Sequence, residues 1–293
     1  MPEADNTGSW SPPETPEMLY AALKEITKWE KEQNRLMIWD RITRLPFKLL
    51  DAITPKVIHD KVGRLLDELG GYIQNGGNYL VAGRKVGKLM NETSRAAGAP
   101  EDGPFPLAVM DAVALKLAER SWNTATAQGA TTGFGGIFTL AADIPAVLGL
   151  SLKAIQEIGL CYGYDPTDKA ERIFTVKVMQ FASSDVVGKR TLLKELNLQA
   201  GGDGNILAAT KETVSRIQGW KEVVTVYRDN WGWKKLLQTV PVAGMFFGAY
   251  LNRKTLEEVT EAARMLYRKR RIISRLAELE QRKNGNAAGE GRQ

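Results

Sequence analysis

The stretch Ala130–Asp165, ATTGFGGIFTLAADIPAVLGLSLKAIQEIGLCYGYD, decides how this chain is read. It is mostly apolar and carries glycines at Gly133, Gly135, Gly136 and Gly149, with Asp143 the one acid of its first two-thirds. A soluble core helix rarely tolerates that many glycines, because each costs about 1 kcal/mol relative to Ala. A second block, Leu236–Leu251 (LLQTVPVAGMFFGAYL), repeats the style, with Pro241 near its start and Gly244 and Gly248 four residues apart. Glycines at that spacing share a helix face and let another backbone approach closely. The two blocks point to close helix packing or to contact with a membrane, and not to a catalytic centre.

Outward from these blocks the signals are helical. Thr15-Pro16-Glu17 starts a helix, with Thr15 as cap and Pro16 in the first helical position. Leu19, Leu23, Ile26, Trp29 and Leu36 follow at helical spacing. Thr54-Pro55 repeats the start signal and Gly70-Gly71 closes that helix. Asn91–Pro106 reads as a loop, and Leu107–Ala127 as a helix. Pro145 is expected to split the apolar block into two helical pieces, with Asp143 capping the second. Asp165-Pro166-Thr167-Asp168 is a further start, with Asp165 at the cap, and Thr255 to about Arg282 is a long basic helix. Strand-like alternation is lacking. The expectation is an all-α protein: a leader over 1–14, one helical domain over 15–283 with a glycine-rich apolar hairpin and a long basic C-terminal helix, and a disordered tail over 284–293.

Composition narrows the functional classes. The chain has 293 residues, a net charge of +6, a single cysteine (Cys161) and a single histidine (His59). One cysteine forms no intrachain disulfide, and one histidine all but removes a histidine metal cluster or a Ser-His-Asp triad. We therefore expect no metal and no cofactor. The basic balance favours anionic partners without choosing between lipid and nucleic acid. The N-terminus lacks a secretion signal, which points to the cytoplasm.

Three motif-like runs fail on their chemistry. Gly83–Leu89 (GRKVGKL) is one residue short of a P-loop and has Leu89 where a magnesium-binding hydroxyl belongs. Gly133-Phe134-Gly135 lacks the third glycine and the preceding strand of a dinucleotide site. Gly201–Asn205 (GGDGN) looks like one calcium-binding repeat, but one repeat builds no stacked site.

Arg264, Arg268, Arg271 and Arg275 fall at i, i+4, i+7 and i+11, one stripe of a helix that Lys269 and Arg270 enlarge. A basic amphipathic helix reads as a membrane-surface or nucleic-acid contact. Trp231 and Trp233, just before Lys234 and Lys235, make an aromatic-plus-basic edge that favours lipid.

Three segments resemble EcsC proteins, a bacterial family often encoded near an ABC transporter. They are Leu115–Gly136, with Asn123, Gln128 and TTGFGG; Leu140–Asp165, with Ala142-Asp143-Ile144-Pro145 and the Tyr162-Gly163-Tyr164-Asp165 ending; and Pro241–Arg271, with Pro241, Gly244, Gly248, Asn252 and Ala262–Arg271. The likeness extends over roughly Ala21–Leu276. It implies a helical domain and supplies no catalytic residues.

The expected function is that of a non-enzymatic accessory or binding protein, cytoplasmic and peripheral on the inner face of the plasma membrane. Its expected partner is an anionic membrane surface or a membrane protein complex, with nucleic acid less favoured. Phe134, Phe138, Trp231, Trp233, Lys234, Lys235 and the four stripe arginines are the expected contacts; Gly133, Gly135, Gly136, Gly244 and Gly248 are the expected close-packing positions. For Ala130–Leu152, an internally packed hairpin ranks first, an interface-docking segment second, and a bilayer span last, because Asp143 at mid-span would cost about 2.5–3.5 kcal/mol. Asp143 itself reads as a helix cap, with a metal-independent enzyme acid as the rival. A nucleic-acid module using the arginine stripe is the other alternative.

Overall fold

The computed structural model describes residues 14–33, 81, 83–98, 104–134, 137–184, 186–201 and 241–290. Among them are seven helices and no strand: α1 (Pro16–Gln33), α2 (Gly83–Ala96), α3 (Leu107–Phe134), α4 (Ile137–Cys161), α5 (Lys169–Ser183), α6 (Val186–Gly201) and α7 (Pro241–Glu290). The all-α expectation holds. The second expected helix, from Thr54 to Gly71, lies outside the described residues, as do leader residues 1–13.

The long helix α7 organises the bundle, packing against α1, α3, α4 and α5. Its inward face carries Leu256, Val259, Ala262, Ala263, Leu266, Tyr267 and Ile272, all buried. These meet Val109, Val113 and Leu117 of α3 and Leu152, Ile155 and Ile158 of α4 in one continuous core. α1 lays Leu19, Ile26 and Trp29 onto this core, where Trp29 meets Phe181 of α5 with ring centroids 5.6 Å apart.

Element ends follow local chemistry, with several departures from expectation. Thr15 Oγ1 accepts the Met18 N–H at 3.3 Å, the cap that its hydroxyl predicts. The α5 cap position is Asp168 and not Asp165, whose carboxylate instead accepts the Thr167 N–H at 2.8 Å in a tight turn. α4 runs unbroken through Pro145, correcting the expected split. One lost donor does not end a helix whose remaining turns bury Val147, Leu148 and Leu152. α2 continues to Ala96, so Asn91–Ala96 is helix rather than loop, and Gly83–Leu89 is its beginning rather than a phosphate loop. α3 extends to Phe134, and α7 absorbs the second apolar block by starting at Pro241 and running to Glu290. Pro241 suits that first position because its missing N–H would have no partner there.

Two contacts fix the ends of α3 and α4. Glu14 Oε1 accepts the Leu107 N–H, so a remote carboxylate caps the positive end of α3. At the other junction Gly163 (φ +87) closes α4: its N–H bonds Leu160 O at 3.0 Å and the Tyr164 N–H bonds Gly159 O at 3.0 Å. Only a glycine takes that left-handed closing position without strain. The turn sends Tyr162 and Tyr164 into the bundle.

Cys161 is buried in the last turn of α4, and its thiol donates to Glu157 O at 3.2 Å. Burial first, then the neighbouring Glu157 charge, pushes the thiol up to about 12. The folded protein should therefore not react with a disulfide-exchange reagent at mildly alkaline pH, and should release one equivalent after denaturation. Rapid reaction of the native protein would contradict this placement.

Candidate functional site

The two apolar blocks of the sequence meet at one end of the bundle. Between Arg120 and Lys153 the only charged side chain is Asp143, and none lies between Lys235 and Arg253. Hence the last turns of α3, the first turns of α4 and the first turns of α7 form an uncharged end around a single acid.

That acid ties the three helices together. Asp143 is fully buried. Its Oδ1 accepts from Thr132 Oγ1 at 2.8 Å, Asn252 Nδ2 at 2.9 Å and Gln128 Nε2 at 3.3 Å. Asp143 therefore lies inside α4, two turns from its start, and is not the cap of a second piece. A carboxylate here is kept because neutral donors from α3 and α7 replace its water. In the sequence, Gln128 and Asn252 stand out only through the family resemblance, and one acid in a long apolar run is the local signal that such partners exist.

Close packing accompanies the polar cluster. A Cβ added to Gly129 of α3 would lie 2.1 Å from the carbonyl oxygen of Gly248 of α7 and 2.5 Å from its carbonyl carbon. The backbones touch there, which is what a pair of facing glycines permits. The opposing Gly129 was not foreseen. Gly133 is buried one turn further along α3. Phe134 is the last residue of α3, Phe138 the second of α4, and Gly244 lies in the first turn of α7. Gly135, Gly136, Trp231, Trp233, Lys234 and Lys235 lie outside the described residues.

On the outer side of the same turns, Phe246 and Tyr250 are 69% and 62% exposed. They stand four residues apart on α7 and so share a face. The spacing is plain in GMFFGAY, but its exposure depended on which face Gly248 turned inward.

The arginine stripe lies further along α7 and is not an open basic face. Arg268 Nη1 donates to Glu25 Oε2 at 3.0 Å, and its Nε lies 2.9 Å from Asp111 Oδ2. Arg275 is buried, donates to Phe105 O at 2.9 Å and sits 3.7 Å from Glu14. Arg271 reaches Glu278 only at 4.0 Å. Lys269 pairs with Glu30 at 2.7 Å. Arg270 forks onto Glu171 at 2.6 and 2.8 Å and lies 4.1 Å from the ring centres of both Tyr164 and Phe174. α1 thus brings Glu14 (just before it), Glu25 and Glu30 to the stretch Ala262–Ala277 of α7, which has no acid of its own. A one-dimensional pattern could not show this, because those acids lie more than two hundred residues away.

Beside Arg268, Tyr162 donates its hydroxyl to Asp111 Oδ1 at 2.7 Å. Burial raises the Asp111 carboxyl, against the pull of Arg268, and burial together with Asp111 raises the Tyr162 hydroxyl well above its ordinary value. Tyr162 therefore stays a proton donor. Among the described residues no group of His, Cys, Asp and Glu could hold a metal ion, and no helix is long and apolar enough to cross a membrane.

Residues 20–272 match the model of the EcsC protein family. The chain is 51% identical over 274 residues to "Uncharacterized protein YdbA" of Bacillus subtilis (strain 168), an alignment covering 92% of this chain and 98% of that protein. It is 31% identical over 167 residues to "Protein EcsC" of the same organism, covering 54% of this chain and 66% of that protein. No solved structure matches the chain. With the family match spanning most of its length, from α1 into the basic part of α7, the chain belongs to the EcsC protein family.

Proposed function

We propose that this protein is a non-enzymatic binding protein that works at the inner, anionic face of a membrane as an accessory to a membrane system such as an ABC transporter. The observation that carries this reading is the uncharged end of the bundle, where Phe246 and Tyr250 are exposed on a helix face backed by the Gly129–Gly248 contact. Burying one such aromatic in an apolar medium contributes about 1.5–3 kcal/mol. Two on a rigid face, beside helix ends without charge, suit shallow entry into the boundary between headgroups and acyl chains. Full insertion is not required.

The enzyme alternative is weaker, because Asp143 is fully buried and its Oδ1 is engaged by three donors from neighbouring helices. The nucleic-acid alternative is narrowed, because α1 sets Glu25 and Glu30 against Arg268 and Lys269 of the stripe.

Flotation tests the reading. The parent should rise with vesicles containing anionic lipid, and Phe246→Ser with Tyr250→Ser should lower vesicle affinity by about a hundredfold while leaving the helical circular dichroism unchanged. A parent that stays at the bottom of the gradient would sink the membrane reading. Preference for DNA over vesicles at matched salt would move the assignment to nucleic acid.

A further inference from the structure

We propose that the row Arg264, Arg268 and Arg271 on α7 binds a phosphate group, with Arg264 as its central ligand. This deepens the membrane reading above and rests on it only where the phosphate belongs to a lipid. The three guanidinium groups fall on one stripe, at i, i+4 and i+7. Arg264 and Arg271 each have their Nε buried without a hydrogen-bond acceptor, while Arg268 Nε meets Asp111 Oδ2 at 2.9 Å. Buried N–H groups of charged side chains are seldom left so, and an ion is one of the ordinary explanations.

The distribution of acids supports the assignment. Every other basic residue from Arg268 to Arg275 has an acid within 4.0 Å: Arg268 has Asp111 and Glu25, Lys269 has Glu30, Arg270 has Glu171, Arg271 has Glu278 and Arg275 has Glu14. Arg264 has no such partner among the described residues. Its charge acts on Asp111 and Tyr162 from a distance. Two of the acids serving the row, Glu25 and Glu278, have side chains 69% and 48% exposed. Exposed carboxylates on flexible stems are weak competitors. At the half-buried level, Arg264 and Arg268 therefore share one carboxylate, that of Asp111, and Arg271 has only the exposed Glu278. A phosphate offers several acceptor oxygens to planar donor forks and can displace Glu25 and Glu278 into solvent.

The test uses the full chain with two probes: inorganic phosphate, read as a rise in melting temperature against chloride at matched ionic strength, and phosphatidylcholine vesicles doped with phosphatidylglycerol. Arg264→Gln should weaken the response to at least one probe by about tenfold. Lys88→Gln, which removes an equal charge from an exposed helix face, should leave both responses unchanged. A response to inorganic phosphate assigns a free phosphate compound, and a response to vesicles alone assigns a lipid headgroup; either supports the site. Equal losses in the two variants would mean diffuse attraction and would overturn it, as would no loss in Arg264→Gln. Should Arg264→Gln fail to fold, Arg264→Lys decides: it keeps the charge but loses the fork, and undiminished binding counts against the site. The Phe246/Tyr250 variant separates the two claims. If it abolishes flotation while Arg264→Gln does not, the membrane reading stands and the phosphate site falls.

Discussion

Gly129→Ala is expected to lower the melting temperature by about 5–10 °C, the effect of roughly 2–3 kcal/mol in a chain of this size. The new Cβ would stand 2.1 Å from the Gly248 carbonyl oxygen and 2.9 Å from the Ala249 nitrogen. Both are backbone atoms of α7, so no rotamer change relieves the clash. α3 and α7 must separate, which also strains the hydrogen bond from Asn252 to Asp143 one turn along. The helix propensity gained by replacing glycine, about 1 kcal/mol, opposes the loss but is too small to cancel it. Gly87→Ala and Gly149→Ala provide the contrast. Neither added Cβ meets any atom within 4 Å, so each substitution should raise stability by about 0.4–1 kcal/mol. Thermal melts of the three variants decide the matter. Equal behaviour at Gly129 and Gly149 would mean that the two helices do not touch where described.

That contrast shows what a glycine-rich sequence discloses. The density of glycine in the apolar blocks announces close approach, and Gly248 does lie against another helix. The pattern does not say which glycines are used, because the facing residue, Gly129, is over a hundred positions away and outside both quoted blocks. The helix start at Thr15 was legible because capping and first-turn chemistry are local, whereas the long helix expected from Thr255 begins at Pro241. Pro145 misled for the opposite reason. Its local cost is real, but long-range burial of Val147, Leu148 and Leu152 carries α4 through it. The arginine stripe misled in the same way: its spacing was correct, but α1 brings acids to it that no window along α7 contains.

Asp143→Ala should destabilise the fold by about 3 kcal/mol or more, because it leaves the donors of Gln128, Thr132 and Asn252 facing a methyl group in a dry interior. The expected fall in melting temperature is about 10 °C. Asp143→Asn keeps an acceptor oxygen for those donors but puts an amide NH2 in place of the second carboxyl oxygen, so it should fall between Ala and the parent, about 1–2 kcal/mol down. The order parent, Asn, Ala follows from a buried hub and differs from that of a helix cap, where Asn would match the parent. It also separates structure from chemistry. An amide cannot carry a proton back and forth at neutral pH, so an acid catalyst would lose its activity in the Asn variant even when that variant is folded. Asp143→Asn that melts slightly low and still floats with anionic vesicles fits a side chain whose task is to register three uncharged helix ends. A variant with parental stability but no activity would make Asp143 an acid at work and would reverse the non-enzymatic reading.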